Sequence, residues 1–183
     1  MTTKTNLLAL LMLVSGLKSL AQSKEDNNVS SAYPGTEIKK GKIIHSEILI
    51  NAPVEMVWKI FSDFEQYPHW NPFIKFLKPV PREGKQIEVF LQPAGKKGMT
   101  FKPKVLVYAE NKELRWVGKL FISRLFDGEH VFMLKDNHDG TSTFIQYERF
   151  RGILVPFMKR MLDDNTLSGF KQMNEALKKK CEE

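Results

Sequence analysis

The chain has one cysteine, Cys181, in 183 residues. That excludes a disulfide framework and a zinc–cysteine cluster, each of which needs several thiols. Its four histidines, His45, His69, His130 and His138, are widely spaced. None forms a His-x-His or His-x-x-x-His pair, so no metal site is expected. There is no glycine-rich phosphate loop and no Gly-x-Ser-x-Gly elbow. Nucleotide binding and serine-nucleophile chemistry therefore have no support, and no cofactor is implied. Outside the first twenty residues no apolar run reaches the ~18 residues a membrane-spanning helix needs. No internal repeat and no nucleic-acid-binding motif occurs.

What is present is ample core material. The chain is 42% hydrophobic, with 13 Phe, 3 Trp and 8 Met. Its length suits one domain. Twenty-eight basic against twenty-one acidic side chains give a net charge of +7. The lysines of the C-terminal segment alternate with acids, as on an exposed helix end. An anionic surface suits this charge better than nucleic acid does.

Lys4 precedes an uncharged run from Leu7 to Leu17, followed by Lys18 and Ser19-Leu20-Ala21. A short basic region, an apolar stretch of this length and a small-x-small site are the features of a cleaved secretion signal. Residues 1–21 are expected to be removed, leaving an exported protein, periplasmic or extracellular. Their loss takes two lysines and no acid, so the net charge falls to +5. Residues 22–38 contain Asn, Ser, Pro and Gly and read as a flexible leader. Residues 39–183 form the domain.

Residues 40–50 alternate as a strand with Ile44, Ser46, Ile48 and Ile50 on one face. Asn51-Ala52-Pro53 starts a short helix to about Ser62, and a second helical turn spans Phe64 to Trp70. Six strand-like runs follow: 74–80, 86–92, 100–110, 113–119, 128–136 and 141–151. Residues 154–180 close the chain as a long helix with an apolar stripe that includes Met158, Met161, Leu162, Met173 and Leu177. This order predicts an α+β fold with one antiparallel sheet of about seven strands against the long helix.

The loop His138-Asp139-Gly140 predicts a three-residue hairpin, a type I turn followed by a left-handed glycine. Its register sets Leu134 opposite Phe144, Phe132 opposite Gln146 and His130 opposite Glu148. Opposed residues share a face. The aromatic content of that face assigns it inward, with Leu114 and Trp116 joining from the preceding strand.

Ile48-Leu49-Ile50-Asn51-Ala52-Pro53-Val54-Glu55-Met56-Val57-Trp58 resembles the opening of the SRPBCC superfamily, the START-like or polyketide cyclase-like proteins. Trp70-Asn71-Pro72-Phe73, the runs from Phe126 to His130 and from Phe144 to Gly152, and Gly169-Phe170 with Met173-Asn174 and Leu177 carry the resemblance to about residue 180. It implies a helix-grip fold, a curved sheet wrapped around the C-terminal helix with a hydrophobic cavity between. Such proteins bind lipids, sterols, hormones or polyketides, and some are cyclases. Fold alone does not select among these.

The candidate ligand-binding residues are Trp116, His130, Phe132, Phe144, Gln146, Glu148, Met158, Met161 and Leu162. His130 and Glu148 are also the candidate catalytic pair, because a carboxylate beside an imidazole can orient it for proton transfer. A structural pair buried under the helix is the competing reading. The apolar segment Leu120 to Phe126, with Phe121, Ile122, Leu125 and Phe126, is a candidate cavity mouth or peripheral membrane contact. Three functions fit: an exported binding protein for a hydrophobic small molecule or lipid, a cyclase or dehydratase using His130 and Glu148, and an interaction module with a filled core.

Overall fold

The structure is a computed structural model and describes residues 41–119 and 125–183. The segments expected to be a secretion signal (1–21) and a leader (22–38), with Phe121 and Ile122, lie outside the described residues.

Strand β1 (Gly41–Ile50) leads into helix α1 (Val54–Phe61), a 3-10 turn (Phe64–Gln66) and helix α2 (Tyr67–Trp70). Strands β2 (Ile74–Lys78), β3 (Glu88–Leu91), β4 (Met99–Phe101), β5 (Lys104–Ala109), β6 (Glu113–Lys119), β7 (Asp127–Asp136) and β8 (Ser142–Arg151) follow. The chain ends in helix α3 (Val155–Met161), a π-helical turn (Leu162–Leu167) and helix α4 (Ser168–Glu182).

The strands form two sheets where the sequence suggested one. Five lie in the order β1-β8-β7-β6-β5, and three in the order β2-β3-β4. The expected strand 100–110 is cut into β4 and β5 at Lys102-Pro103. Proline has no N–H for a ladder, which explains the cut. The loop leading into β3 is tied to β5, with Val105 N–H donating to Lys85 O at 2.8 Å.

The β7–β8 register is as expected: His130 opposes Glu148, Phe132 opposes Gln146 and Leu134 opposes Phe144. The turn differs. Gly140 has a φ of +85° as required, but His138 also has a positive φ of 62°, which no type I turn allows. Its amide N–H donates to Asp136 Oδ1 at 2.7 Å. That local bond offsets the strain of a left-handed non-glycine residue.

The inward face is the expected one. Ile44, Ile50, Leu114, Trp116, Phe132, Phe144 and Phe150 are buried in the main core with Phe61, Phe170, Met173 and Leu177. Gly169 lets α4 approach Phe73, because a Cβ there would stand 2.3 Å from the Phe73 ring. The far end of α4 is pinned to β1: Lys178 Nζ donates to Leu49 O at 2.7 Å, and Asn51 N–H donates to Glu182 Oε1 at 2.7 Å.

Candidate functional site

The alternation of β6, β7 and β8 brings Trp116, His130, Phe132, Phe144, Gln146 and Glu148 onto one face beneath α4. Five are essentially sealed from solvent, while the Glu148 side chain keeps 17% of its surface. The His130 ring stacks on Phe132 with centroids 4.1 Å apart and lies 4.6 Å from Phe170. Trp116 meets it edge-on at 5.2 Å. An imidazole thus sits in an aromatic cage built by two strands and one helix.

A polar track crosses this apolar layer. Gln146 Nε2 donates to Asn174 Oδ1 at 2.5 Å, and Asn174 Nδ2 donates to Ser46 Oγ at 3.1 Å. These bonds fix the orientation of the Gln146 amide and leave Oε1 as an acceptor. Among the described residues, neither Gln146 Oε1 nor His130 Nε2 has a hydrogen-bond partner. The Gln146 side chain still raises the basicity of the imidazole, so the two groups are neighbours without a well-formed bond. Buried polar atoms left this way cost free energy and are rare in native cores.

Burial is the larger influence on His130 and lowers its pKa from 6.5 to about 3. Burial raises Glu148 from 4.5 to about 8. Both effects disfavour the charged form in a poorly solvated place. At neutral pH the ring is neutral and the carboxyl mostly protonated. His130 Nδ1 lies 3.9 Å from Glu148 Oε2, which is beyond hydrogen-bond length. The expected orienting contact between the two is therefore not made directly.

Glycines shape the end of the site that Glu148 occupies. Gly118 and Gly128 are opposed on β6 and β7, two residues on from Trp116 and two before His130, on the same inward face. Their missing side chains make room for neighbouring groups. A Cβ on Gly128 would fall 2.6 Å from Glu148 Oε1, and one on Gly118 would touch the Phe101 ring at 3.4 Å. Phe126 packs on Phe150 at 5.4 Å beside these glycines.

The remaining expected residues are placed less uniformly. Leu162 is buried and Met158 half-buried against the core. Nothing is described of the Met161 side chain. Leu125 and Phe126 are half-buried at the start of β7. Asn174 and Ser46, which complete the track, were not anticipated as site residues. The signal for Asn174 was an amide in the apolar stripe of α4, between Phe170 and Leu177.

Between sheet and helix, Phe61 approaches Phe132 at 5.2 Å and Phe144 at 5.3 Å. Two grooves on the described surface lie elsewhere. One, of about 600 Å³, is lined by residues that include Glu55, Trp58, Asp63 and Tyr108. The other, of about 290 Å³, lies along Glu175 to Glu183 on α4.

A family model described as polyketide cyclase / dehydrase and lipid transport matches residues 43–182. Among solved structures, a START superfamily protein from Mycobacterium smegmatis is similar at 20% identity and a TM-score of 0.59, over 76% of this chain and 97% of that one. The Zhui aromatase/cyclase from Streptomyces sp. R1128 is similar at 13% identity and a TM-score of 0.62, over 78% and 94%. A structural-genomics protein from Chromobacterium violaceum is similar at 18% identity and a TM-score of 0.57, over 77% and 97%. At these identities the likeness shows the fold. No curated protein matches the sequence.

Proposed function

The chain belongs to the polyketide cyclase / dehydrase and lipid transport family, and from that premise we propose that it binds a hydrophobic small molecule or lipid between its sheet and α4. The unsatisfied pair His130 Nε2 and Gln146 Oε1 carries this reading. A ligand whose apolar body replaces the water-free aromatic contacts and whose hydroxyl meets these two atoms would relieve their cost. Entry would run past Glu148, over Gly118 and Gly128, with the carboxyl and the core rings repacking around the ligand.

Extraction of the gently purified protein followed by mass spectrometry tests this. The expected result is one reproducible hydrophobic companion carrying a hydroxyl or similar group. Gln146→Leu should weaken its binding about tenfold, the scale of one buried hydrogen bond. An empty protein that also takes up no apolar dye would overturn the proposal and leave a filled interaction module.

An enzymatic reading has narrower support. The Zhui neighbour is an aromatase/cyclase, and Glu148, held protonated to about pH 8, is suited to give a proton. His130, with a pKa of about 3, is a poor base. Acid catalysis by Glu148 is thus the form this reading takes. It requires Glu148→Gln to abolish turnover while ligand binding persists.

Export belongs to the same proposal. Cleavage after Ala21 would make Gln22 the first residue of the mature protein. Terminal sequencing of protein recovered from cells reads this directly. A mature chain still carrying residues 1–21 would remove export.

A further inference from the structure

The segment from Arg151 to Arg160 runs Arg-Gly-Ile-Leu-Val-Pro-Phe-Met-Lys-Arg and holds three cations and no acid. It turns from β8 into α3. Gly152, at a φ of +132°, lies so close to Leu125 that a Cβ would stand 2.4 Å from the Leu125 carbonyl oxygen. Leu154 N–H donates to that same oxygen at 3.2 Å, and Phe157 N–H donates to Leu154 O at 3.1 Å. Val155 is buried and anchors the turn. The turn is therefore built on fixed contacts, and it holds Ile153 and Phe157 outward at 71% and 86% exposure.

Ile153 stands in the turn just before α3 and Phe157 in the first turn of α3. Pro156 between them is exposed, as are Arg151, Lys159 and Arg160 within the same ten residues. Acids follow only in the next turn. There Asp163 pairs with Lys42 at 2.6 Å, and Asp164 faces Arg160 at 3.7 Å. An exposed apolar tip flanked along the chain by exposed cations is complementary to an anionic bilayer, where the tip enters the acyl boundary and the cations meet headgroups. Two side chains are too little for a stable protein interface, which needs about 1,000 Å² of well-packed surface.

We propose that Ile153 and Phe157, with Arg151, Lys159 and Arg160, form a docking surface for an anionic lipid bilayer. The surface adjoins Phe126 and the Glu148 end of the core through the Gly152–Leu125 contact. Docking stands whether or not the core binds a ligand.

The test uses the full chain with Phe157→Trp and vesicles of phosphatidylcholine alone or with about one third phosphatidylglycerol. Some vesicles carry brominated acyl chains. The signal of the parent chain, which has tryptophans of its own, is subtracted. The added indole should blue-shift and be quenched only on anionic vesicles, and raised salt should reverse both. Residues 1–21 could hold the chain to a vesicle by themselves, so the reading is taken at position 157 and not from bound protein. Ile153→Ser with Phe157→Ser should cut vesicle affinity at least tenfold at unchanged Tm. Lys159→Glu should cost about fivefold or more, the scale of one basic residue near an anionic surface. An added indole that stays unquenched on protein-bearing anionic vesicles overturns the proposal. So does a concentration-dependent dimer that the double serine variant abolishes, which would make the patch a protein interface.

Discussion

His130 Nδ1 lies 3.9 Å from Glu148 Oε2, and the two residues oppose each other across β7 and β8. Burial favours the neutral form of each, so this is a contact between an uncharged ring and a carboxylic acid near neutral pH.

The pair should shape the pH dependence of stability. Unfolded, His130 takes a proton near 6.5, but folded only at about 3, so its contribution falls as pH drops from 6.5 to 3. Folded Glu148 keeps its proton to about 8, against 4.5 unfolded, so its contribution falls as pH rises from 4.5 to 8. The two slopes oppose between 4.5 and 6.5. In urea titrations across pH, Glu148→Gln should flatten the loss between 6.5 and 8, and His130→Phe the loss between 4.5 and 3. Curves parallel to the parent would show that these residues ionise as in water.

Asn174 holds the polar track together. Replacing it with Ala strips Gln146 Nε2 of its 2.5 Å partner. The expected cost is about 1–3 kcal/mol. A second change, Gln146→Met, should recover part of that loss, because an amide left with only a long 3.4 Å bond to Phe170 O is then gone. Additive losses in the double variant would mean the two side chains act independently.

Gly128→Ala places a methyl 2.6 Å from the Glu148 carboxyl. The tip of that side chain is free to swing, so the fold should survive. The carboxyl should move outward, and its pKa should drop from about 8 towards 4.5. Carbon-detected NMR titration of the glutamates reports this, and an unmoved value would show that the missing Cβ of Gly128 is not what lets the acid sit inward.

Gly169→Ala is a harsher change. The nearest atoms, 2.3 Å from the new methyl, belong to the buried ring of Phe73. Overpacking there should cost about 1–3 kcal/mol. Adding Phe73→Leu should restore more than it loses. If the double variant is as weak as the sum of both, the close approach is not the cause.

Much of the site could be read from the chain because period-two alternation and one glycine-bearing hairpin fix which residues meet. His138-Asp139-Gly140 set the β7–β8 register even though its turn type is different from the expected one. The division of the sheet was also available, at Pro103, but the apolar run on both sides of it masked the break. How closely the core rings approach was not readable. Helical and strand periodicity tell which way Phe61, Phe132 and Phe144 point, not whether they meet in the middle. Asn174 escaped for a related reason: the 3.6-residue stripe puts it inward, but its partner Ser46 lies 128 residues away on β1.

The π-helical turn at Leu162–Leu167 makes the last helix a matter of phase. A wider turn takes up about one extra residue, and each residue of an α-helix is worth ~100° of rotation. Deleting one residue there should give an unbroken α-helix that keeps Phe170, Met173, Asn174 and Leu177 facing the sheet. Deleting one between Phe170 and Leu177, where the turns are regular, would rotate everything beyond it by ~100°. The chain is thus tolerant of a changed length at Leu162–Leu167 and intolerant of it in α4.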